Sequence, residues 1–296
     1  MLNLALNYSL LGLLYFLSAL PLVVAHWIGD CLGVIASKLP IERSRVVRIN
    51  INLCFPELSE VGRKKLALKH WKLLCRSFVE RGYFWLGNKD KIKQLVQIES
   101  EVDLTDKKPR LYVGMHMVGI EAGLIGLSLH LQELGVIQPI TLYIQMKNHF
   151  FDTRIKFWRE RFGSQMMLRQ ENIRNFIRAI KNGQFLLLSP DMDLGLKDSI
   201  FVPFFKIPTC TVTSISRLAF LSQAEVCAVV TTLNPDGKSY TCKISRPWES
   251  FPSKDEVVDT LKLNQFFESQ IQPRPAEYYW VHKRFKNRPD GQPRFY

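Results

Sequence analysis

Two ionisable residues, His116 and Glu121, lie between glycines in the otherwise apolar stretch GMHMVGIEAG, which begins at Gly114. Burying such a pair costs free energy unless the groups are hydrogen-bonded or take part in chemistry. A carboxylate on one imidazole nitrogen raises the basicity of the ring, and the other nitrogen can then take a proton from a substrate hydroxyl. No serine or cysteine lies beside the pair, which favours direct attack by that hydroxyl without a covalent acyl-enzyme. Taken alone, this spacing also fits a purely structural hydrogen bond.

The neighbouring residues predict how this pair is held. The apolar run LYVGM from Leu111 is typical of a short strand, and a helix should begin near Ile120, with Glu121 in its first turn. Two residues five apart do not meet on one face of a helix. Across a strand–turn–helix corner given freedom by Gly119, however, the carboxylate can fold back toward the histidine. We therefore expect a direct contact between His116 and Glu121.

Strands and helices alternate along the rest of the chain. ITLYIQ, QFLLLSPD, VCAVVTTL and YTCKISR predict strands. Helices are predicted from an N-cap at Ser59 to about residue 85, and over residues 152–162, 171–183, 211–221, 255–271 and 277–285. The polar segment KDKIKQ from Lys89 is interpreted as a connector. The fold class is therefore α/β, a single domain with a mixed, mostly parallel sheet flanked by helices, with functional residues at the carboxyl ends of the strands.

Composition restricts the partners and the compartment. The 296 residues carry 40 Lys and Arg against 27 Asp and Glu, a net charge of +13, which favours anionic partners. The six cysteines are scattered without a C-x-x-C pair, which argues against a zinc site and a disulfide framework and indicates a reducing compartment.

The N-terminus is unusually apolar, with Asp30 as the only charged residue among residues 1–37. Residues 10–28 are long enough to span a bilayer core, although Pro21 should kink or interrupt them. Basic residues follow at once, which places the remaining chain on the cytoplasmic side by the positive-inside rule. We predict an N-terminal membrane anchor helix over residues 1–37 and a cytoplasmic domain over residues 38–296; a buried hydrophobic hairpin of a soluble protein is the alternative.

Four segments in order, GMHMVGIEAG, SPDMDLGLKDSIFVPFF, IPTCTVTSISRLA and EYYWVHKRFKNRPDGQPRFY, resemble the late acyltransferases of lipid A biosynthesis, the lauroyl/myristoyl transferase family. The resemblance covers nearly the whole chain. It implies transfer of a lauroyl- or myristoyl-like chain from acyl carrier protein to a hydroxyl of a lipid A precursor, at the cytoplasmic face of the inner membrane of Gram-negative bacteria. It implies acyl carrier protein, the precursor and anionic inner-membrane lipids as partners, with no nucleic acid, no metal and no cofactor beyond the acyl-carrier co-substrate.

The resemblance also assigns roles to residues. His116 is expected as the general base and Glu121 as its partner. In the segment DTRIKFWRERFG, either Arg159 or Arg161 fits a functional arginine that stabilises the oxyanion or binds substrate, and the sequence does not separate them.

Asp191 and Asp193 form a D-x-D pair after a predicted buried strand. Such a pair can hold a divalent metal in a glycosyltransferase, whereas the resemblance implies a substrate-binding loop without metal, with Asp191 bracing the loop and Asp193 facing the pocket. A purely structural role for both also stays open.

Other functions stay open at this stage. The same chemistry fits another glycolipid or phospholipid acceptor. A non-catalytic anchored protein that binds nucleic acid is a further alternative, although the basic and aromatic residues form no recognisable nucleic-acid module. The basic ending 282–288 fits either a phosphate-binding interface or a solvated tail.

Overall fold

Within residues 2–136 and 139–296, which the computed structural model describes, ten α-helices and nine β-strands form. The helices are α1 (Leu2–Ala19), α2 (Leu22–Lys38), α3 (Glu42–Cys54), α4 (Glu60–Leu86), α5 (Lys89–Leu95), α6 (Ile120–Glu133), α7 (His149–Glu160), α8 (Ile173–Lys181), α9 (Ser214–Ser222) and α10 (Glu256–Ile271). The strands are β1 (Val96–Ser100), β2 (Arg110–Val113), β3 (Ile140–Tyr143), β4 (Gln165–Leu168), β5 (Leu186–Leu188), β6 (Ser199–Phe204), β7 (Ile207–Val212), β8 (Glu225–Leu233) and β9 (Tyr240–Ile244).

Seven strands form one sheet in the order β1-β9-β8-β2-β5-β3-β4. The β8–β9 pair is antiparallel, and the other neighbouring pairs are parallel. Strands β6 and β7 form a separate antiparallel hairpin. The predicted α/β fold with a mixed, mostly parallel sheet flanked by helices is confirmed.

The central strands carry apolar side chains on both faces. All residues of β2 and β5 are buried, as expected for parallel strands covered by helices on both sides. Helix α6 lies directly on β8, since a Cβ built on Gly123 would come within 1.9 Å of Thr231 Oγ1. Only glycine allows that approach, which fixes the first turn of α6 beside the carboxyl end of β2.

Helix α4 connects the N-terminal helices to the sheet domain. It begins as predicted, because Ser59 Oγ accepts a hydrogen bond of 3.1 Å from Gly62 N. Its 27 residues reach Leu86, and one face buries Trp71, Leu74 and Phe84 in the domain core.

The apolar N-terminus forms two helices rather than one. Helix α1 ends at Ala19 and α2 begins at Leu22, because Pro21 has no backbone N–H to continue the first helix. The interruption expected at Pro21 is confirmed. Among the described residues, no single helix is long and apolar enough to cross a membrane, and α2 and α3 meet that requirement only together, across a bend of 84°.

Helix α2 packs closely on α4. Cβ atoms built on Gly29 and Gly33 would lie 2.7 Å and 2.5 Å from the Cα atoms of residues 76 and 72, so the two backbones nearly touch. Polar pairs cross the same interface: His26 Nε2 lies 2.5 Å from Glu80 Oε1, and Arg76 donates twice to Asp30 at 2.6 Å. The apolar segment is therefore bound to the domain by specific contacts.

The close packing at Gly33 predicts that a Gly→Ala substitution there destabilises the protein, although the same substitution usually stabilises a helix. Gly→Ala inside a helix normally stabilises by about 1 kcal/mol, but at Gly33 the added methyl group must displace the α4 backbone. We expect Gly33→Ala to lower the free energy of unfolding by about 1–3 kcal/mol. Thermal unfolding in detergent measures it, with Gly12→Ala as the matched control because nothing lies within 4 Å of a Cβ there. Equal stabilisation by both substitutions would contradict the packing.

Three of the sequence predictions are wrong. Residues 277–285 are not a helix. A 3₁₀ turn at Pro275–Glu277 leads into irregular chain, in which Tyr278 bridges to Met117. Trp280 and Phe285 are both fully buried, and a helix would point these two side chains to different faces. The helix predicted over 211–221 begins at Ser214, because Thr211 belongs to β7. The polar connector KDKIKQ from Lys89 forms helix α5.

Candidate active site

His116 follows the carboxyl end of β2, and Asp191 follows the carboxyl end of the neighbouring parallel strand β5. Parallel neighbours deliver their C-terminal residues to one edge of the sheet. Asp191 Oδ1 lies 2.7 Å from His116 Nδ1, and Asp191 Oδ2 accepts a 2.9 Å hydrogen bond from the backbone N of His116. One carboxylate therefore fixes both the ring and the backbone of the histidine.

The contact also determines the chemistry of the ring. An ionised carboxylate only accepts hydrogen bonds, so Nδ1 carries the proton and Nε2 has the free lone pair of the neutral imidazole. Asp191 is 1% exposed, whereas the His116 side chain remains 28% exposed. Burial lowers the pKa of His116, but the charge of Asp191 and its hydrogen bond outweigh burial and raise that pKa above the ordinary value. His116 is thus a partly accessible base with a buried carboxylate behind it.

The C-terminal segment holds this corner in place. The backbone N of Tyr279 donates to His116 O at 2.9 Å, and that of Val118 donates to Glu277 O at 2.8 Å. Tyr278 donates its hydroxyl to the backbone carbonyl of Asp191 at 3.1 Å. The chain end therefore orders both halves of the histidine–aspartate pair.

Glu121 lies in the first turn of α6, as predicted, but its carboxylate turns away from His116. Trp85 Nε1 donates to Oε1 at 2.6 Å, and Arg159 donates through Nε to Oε1 at 2.8 Å and through Nη2 to Oε2. The expected His116–Glu121 contact is thus replaced by two pairs, His116–Asp191 and Glu121–Arg159. The physical reason is that a buried carboxylate gains more from a bidentate guanidinium than from a neutral imidazole.

The Glu121–Arg159 pair is an ion pair at the edge of the same site. Burial raises the pKa of Glu121, but the charges and hydrogen bonds of Arg159, together with Arg81 and Trp85, hold it below the ordinary value. Glu121 is 5% exposed, whereas the Arg159 side chain is 24% exposed. The guanidinium therefore reaches the accessible side while its partner stays buried.

The structure separates the two arginines that the sequence leaves equivalent. Arg161 Nη2 donates to the backbone carbonyls of Phe84 at 2.9 Å and Gly87 at 2.5 Å, the last carbonyls of α4. Its guanidinium lies 4.3 Å from the Phe162 ring centroid. Arg161 thus supports the end of a helix, whereas Arg159 lies at the site.

Asp193 braces the loop that follows β5. Its carboxylate accepts from Asn287 N at 2.7 Å and Asn287 Nδ2 at 2.6 Å, and its backbone N donates to His282 Nε2 at 3.1 Å. Burial lowers the pKa of His282 to about 4, which keeps this ring neutral and able to accept. The structure thus places the bracing contact on Asp193, whereas the sequence gave that role to Asp191 and placed Asp193 in the pocket.

The D-x-D pair therefore does not act as one unit. Asp191 contacts His116 and Asp193 contacts Asn287, so the two carboxylates face different partners. In the described part of the chain, no group of three or more His, Cys, Asp or Glu side chains is placed to hold a metal ion. The arrangement gives no support to the metal-dependent glycosyltransferase.

One basic residue of the chain end, Arg284, is structural. Arg284 is 1% exposed and donates to Cys210 O at 2.7 Å and Thr211 Oγ1 at 2.8 Å. Arg284 therefore belongs neither to a phosphate-binding interface nor to a solvated tail, the two interpretations that the sequence left open.

An apolar cavity of about 20 Å³ lies behind the histidine, between α6 and the ends of β2, β5 and β8. Met115 and Leu124 line it, whereas Met117 and Val118 are buried in the core. The space is about that of one water molecule, too small for a fatty acyl chain.

Sequence reasoning missed three contributors to the site, Trp85, Arg81 and Tyr278. It also gave His116 the wrong partner, Glu121 instead of Asp191. The sequence did contain a signal for Asp191. It follows shortly after the apolar residues 186–188 of LLLSPD, and residues that follow central parallel strands gather at one edge of the sheet. No comparable signal marks Trp85, which reaches Glu121 only because α4 packs against α6.

Comparison with known proteins shows which family this chain belongs to. The family model of the bacterial lipid A biosynthesis acyltransferases matches residues 1–287. The chain is 30% identical over 292 residues to the lipid A biosynthesis lauroyltransferase of Escherichia coli (strain K12), covering 97% of this chain and 93% of that protein. It is 30% identical to a lipid A biosynthesis acyltransferase of Haemophilus influenzae (92% and 87% covered) and 27% identical to the Escherichia coli palmitoleoyltransferase of lipid A biosynthesis (97% and 92% covered). The chain therefore belongs to the bacterial lipid A biosynthesis acyltransferase family and is an acyltransferase.

Proposed function

We propose that this protein transfers a fatty acyl chain from acyl carrier protein to a hydroxyl group of a lipid A precursor. The observation that carries the proposal is the accessible His116 imidazole backed by the buried Asp191 carboxylate. The relatives' names, which specify lauroyl and palmitoleoyl transfer in lipid A biosynthesis, supply the substrate class.

In the proposed reaction, His116 Nε2 removes the proton of the acceptor hydroxyl while Nδ1 stays bonded to Asp191. The resulting alkoxide oxygen attacks the thioester carbonyl and forms a tetrahedral oxyanion. Collapse of this intermediate breaks the C–S bond, and the imidazolium returns its proton to the leaving thiolate. The products are the new ester and the free thiol of the carrier.

Arg159 is proposed to stabilise the oxyanion. Two of its three guanidinium nitrogens, Nε and Nη2, donate to Glu121, which leaves Nη1 for the substrate. A fixed cation near the developing charge lowers the barrier because it needs no reorganisation during the reaction. Glu121 is then a positioning residue that aims Arg159, instead of the partner of His116.

We further propose that the protein works at the cytoplasmic face of the inner membrane. Large apolar side chains on α1 and α2 are exposed, among them Phe16 at 59% and Trp27 at 68%. The net charge of +13 suits anionic lipid headgroups and an acidic carrier protein. Such a surface supports residence where an amphiphilic acceptor and a water-soluble donor meet.

The test of this function is acyl transfer from acyl carrier protein to a labelled lipid A precursor, in detergent with EDTA. Mass spectrometry of the product should show one added acyl group, and full activity in EDTA should accompany it. If the folded protein leaves the precursor unchanged but acylates another glycolipid or phospholipid, the proposed acceptor is wrong and the chemistry stands.

The raised pKa of His116 predicts the pH dependence of this activity. The base works in its neutral form, so kcat/KM should rise with pH and level off above a midpoint higher than the ordinary imidazole value of about 6.5. Asp191→Asn removes the charge that raises this pKa and leaves the burial that lowers it, so its midpoint should move to lower pH. A wild-type midpoint below 6.5 would contradict the role of the Asp191 charge.

A further inference from the structure

Arg81 is a cation on α4 with one buried guanidinium nitrogen that lacks a hydrogen-bond partner in the described part of the chain. It lies on α4 one turn before Trp85, with Cζ 4.0 Å from the Phe78 ring centroid and 5.7 Å from the Trp85 ring. Its Nε is buried and has no hydrogen-bond partner within residues 2–136 and 139–296. A buried donor without an acceptor costs free energy, and the cost is larger when the donor is charged. A ligand acceptor would remove that cost.

The nearby carboxylate does not satisfy Arg81. The charge of Glu121 acts on Arg81, but the Glu121 oxygens already accept from Trp85 and Arg159. Two guanidinium groups and one carboxylate leave one positive charge uncompensated at this point. The aromatic rings of Phe78 and Trp85 restrict the guanidinium without neutralising it.

Arg81 also lies beside the Glu121–Arg159 pair. Trp85 connects the two, because its ring centroid is 5.7 Å from Arg81 Cζ and its Nε1 donates to Glu121 at 2.6 Å. A substrate that meets the Arg159 guanidinium therefore also comes close to Arg81.

We propose that Arg81 binds a phosphate group of a substrate and thereby sets substrate affinity. A guanidinium presents paired N–H donors that match phosphate oxygens, and an apolar aromatic surround strengthens the contact. This inference rests on the proposed function, in which both substrates carry phosphate: the sugar phosphate of the acceptor and the phosphodiester of the carrier's pantetheine arm. The shared chemistry is a phosphate oxyanion, and the experiment distinguishes the two sources.

The first arm of the test measures binding without acyl transfer. The probes are the acyl-free glucosamine disaccharide bisphosphate and 4′-phosphopantetheine, each beside its unphosphorylated counterpart, and the signal is tryptophan fluorescence, since Trp85 lies against Arg81. We expect Arg81→Gln to weaken the binding of one phosphorylated probe by about tenfold or more and to leave the unphosphorylated probes unchanged. The matched control is Lys65→Gln, an exposed cation on the same helix, which should leave all the affinities unchanged.

The second arm measures the KM values of both substrates. Arg81→Gln should raise the KM of the substrate whose probe lost affinity, with little change in kcat, and Arg81→Lys should restore part of it. Unchanged probe binding in Arg81→Gln, or unchanged KM values for both substrates in an active enzyme, would overturn the inference. Arg81-dependent probe binding in a wild type that transfers no acyl group would refute the proposed function and leave the phosphate site standing.

Discussion

Replacing His116 by alanine should lower kcat by about 10²–10⁴-fold, the range that general base catalysis contributes. Without the imidazole, no other group is held by Asp191 to take the hydroxyl proton. The loss should appear in kcat and not in KM, since the partly exposed His116 side chain provides only a small part of the contact with the substrate. Steady-state acyl transfer to the lipid A precursor measures the effect.

The two neighbouring aspartates provide the matched comparison for this prediction. Asp191→Asn should also reduce kcat strongly, because the amide cannot support the imidazolium that forms after proton transfer. Asp193→Asn removes a carboxylate bonded to Asn287, so it should lower the melting temperature while the folded fraction keeps most of its rate. Substantial transfer by His116→Ala, or a rate lost equally in both aspartate variants, would refute the proposed base.

Separating Glu121 from Arg159 should produce the second large loss. Arg159→Ala removes the cation proposed to face the oxyanion, and such a donor contributes about 10²–10³-fold to kcat. Glu121→Gln keeps the shape of the side chain but weakens the bidentate contact that aims the guanidinium, so it should reduce kcat by a smaller factor. Single-turnover acyl transfer separates this chemical step from product release.

Arg161→Ala is the control for this second prediction. Arg161 bonds the carbonyls at the end of α4, so its loss should reduce stability with little change in the rate of the folded enzyme. If Glu121 acts only by aiming Arg159, the double variant Glu121→Gln/Arg159→Ala should be no slower than Arg159→Ala alone. Additive losses would show instead that Glu121 acts independently of Arg159.

Much of the fold can be predicted from local pattern. The N-cap at Ser59, the helical spacing that follows it, and the apolar runs of β2 and β5 depend on neighbouring residues, and all are confirmed. The break at Pro21 follows from a missing N–H and is confirmed as well. These features need no information from distant parts of the chain.

The elements that sequence reasoning missed depend on distant contacts. The edge strand β1, which was not predicted from the sequence, becomes a strand by pairing with β9. The segment after Glu277 is irregular because Tyr278 pairs with Met117. Tertiary pairing overrides local preference at both places.

By itself, the sequence determined the α/β class, the position of His116 just after a buried strand and the apolar N-terminus, because each depends on residue type and short spacing. Only the tertiary structure decided which charges meet. Asp191 lies 75 residues from His116 in the chain, and Arg159 lies 38 residues from Glu121, so no local pattern links either pair. The parallel strands β2 and β5 end at one edge of the sheet and bring His116 within hydrogen-bonding distance of Asp191. The helices α4, α6 and α7 converge and bring Glu121 within hydrogen-bonding distance of Trp85 and Arg159. The physical reason is that hydrogen bonds act over about 3 Å, whereas the sequence specifies only order along the chain.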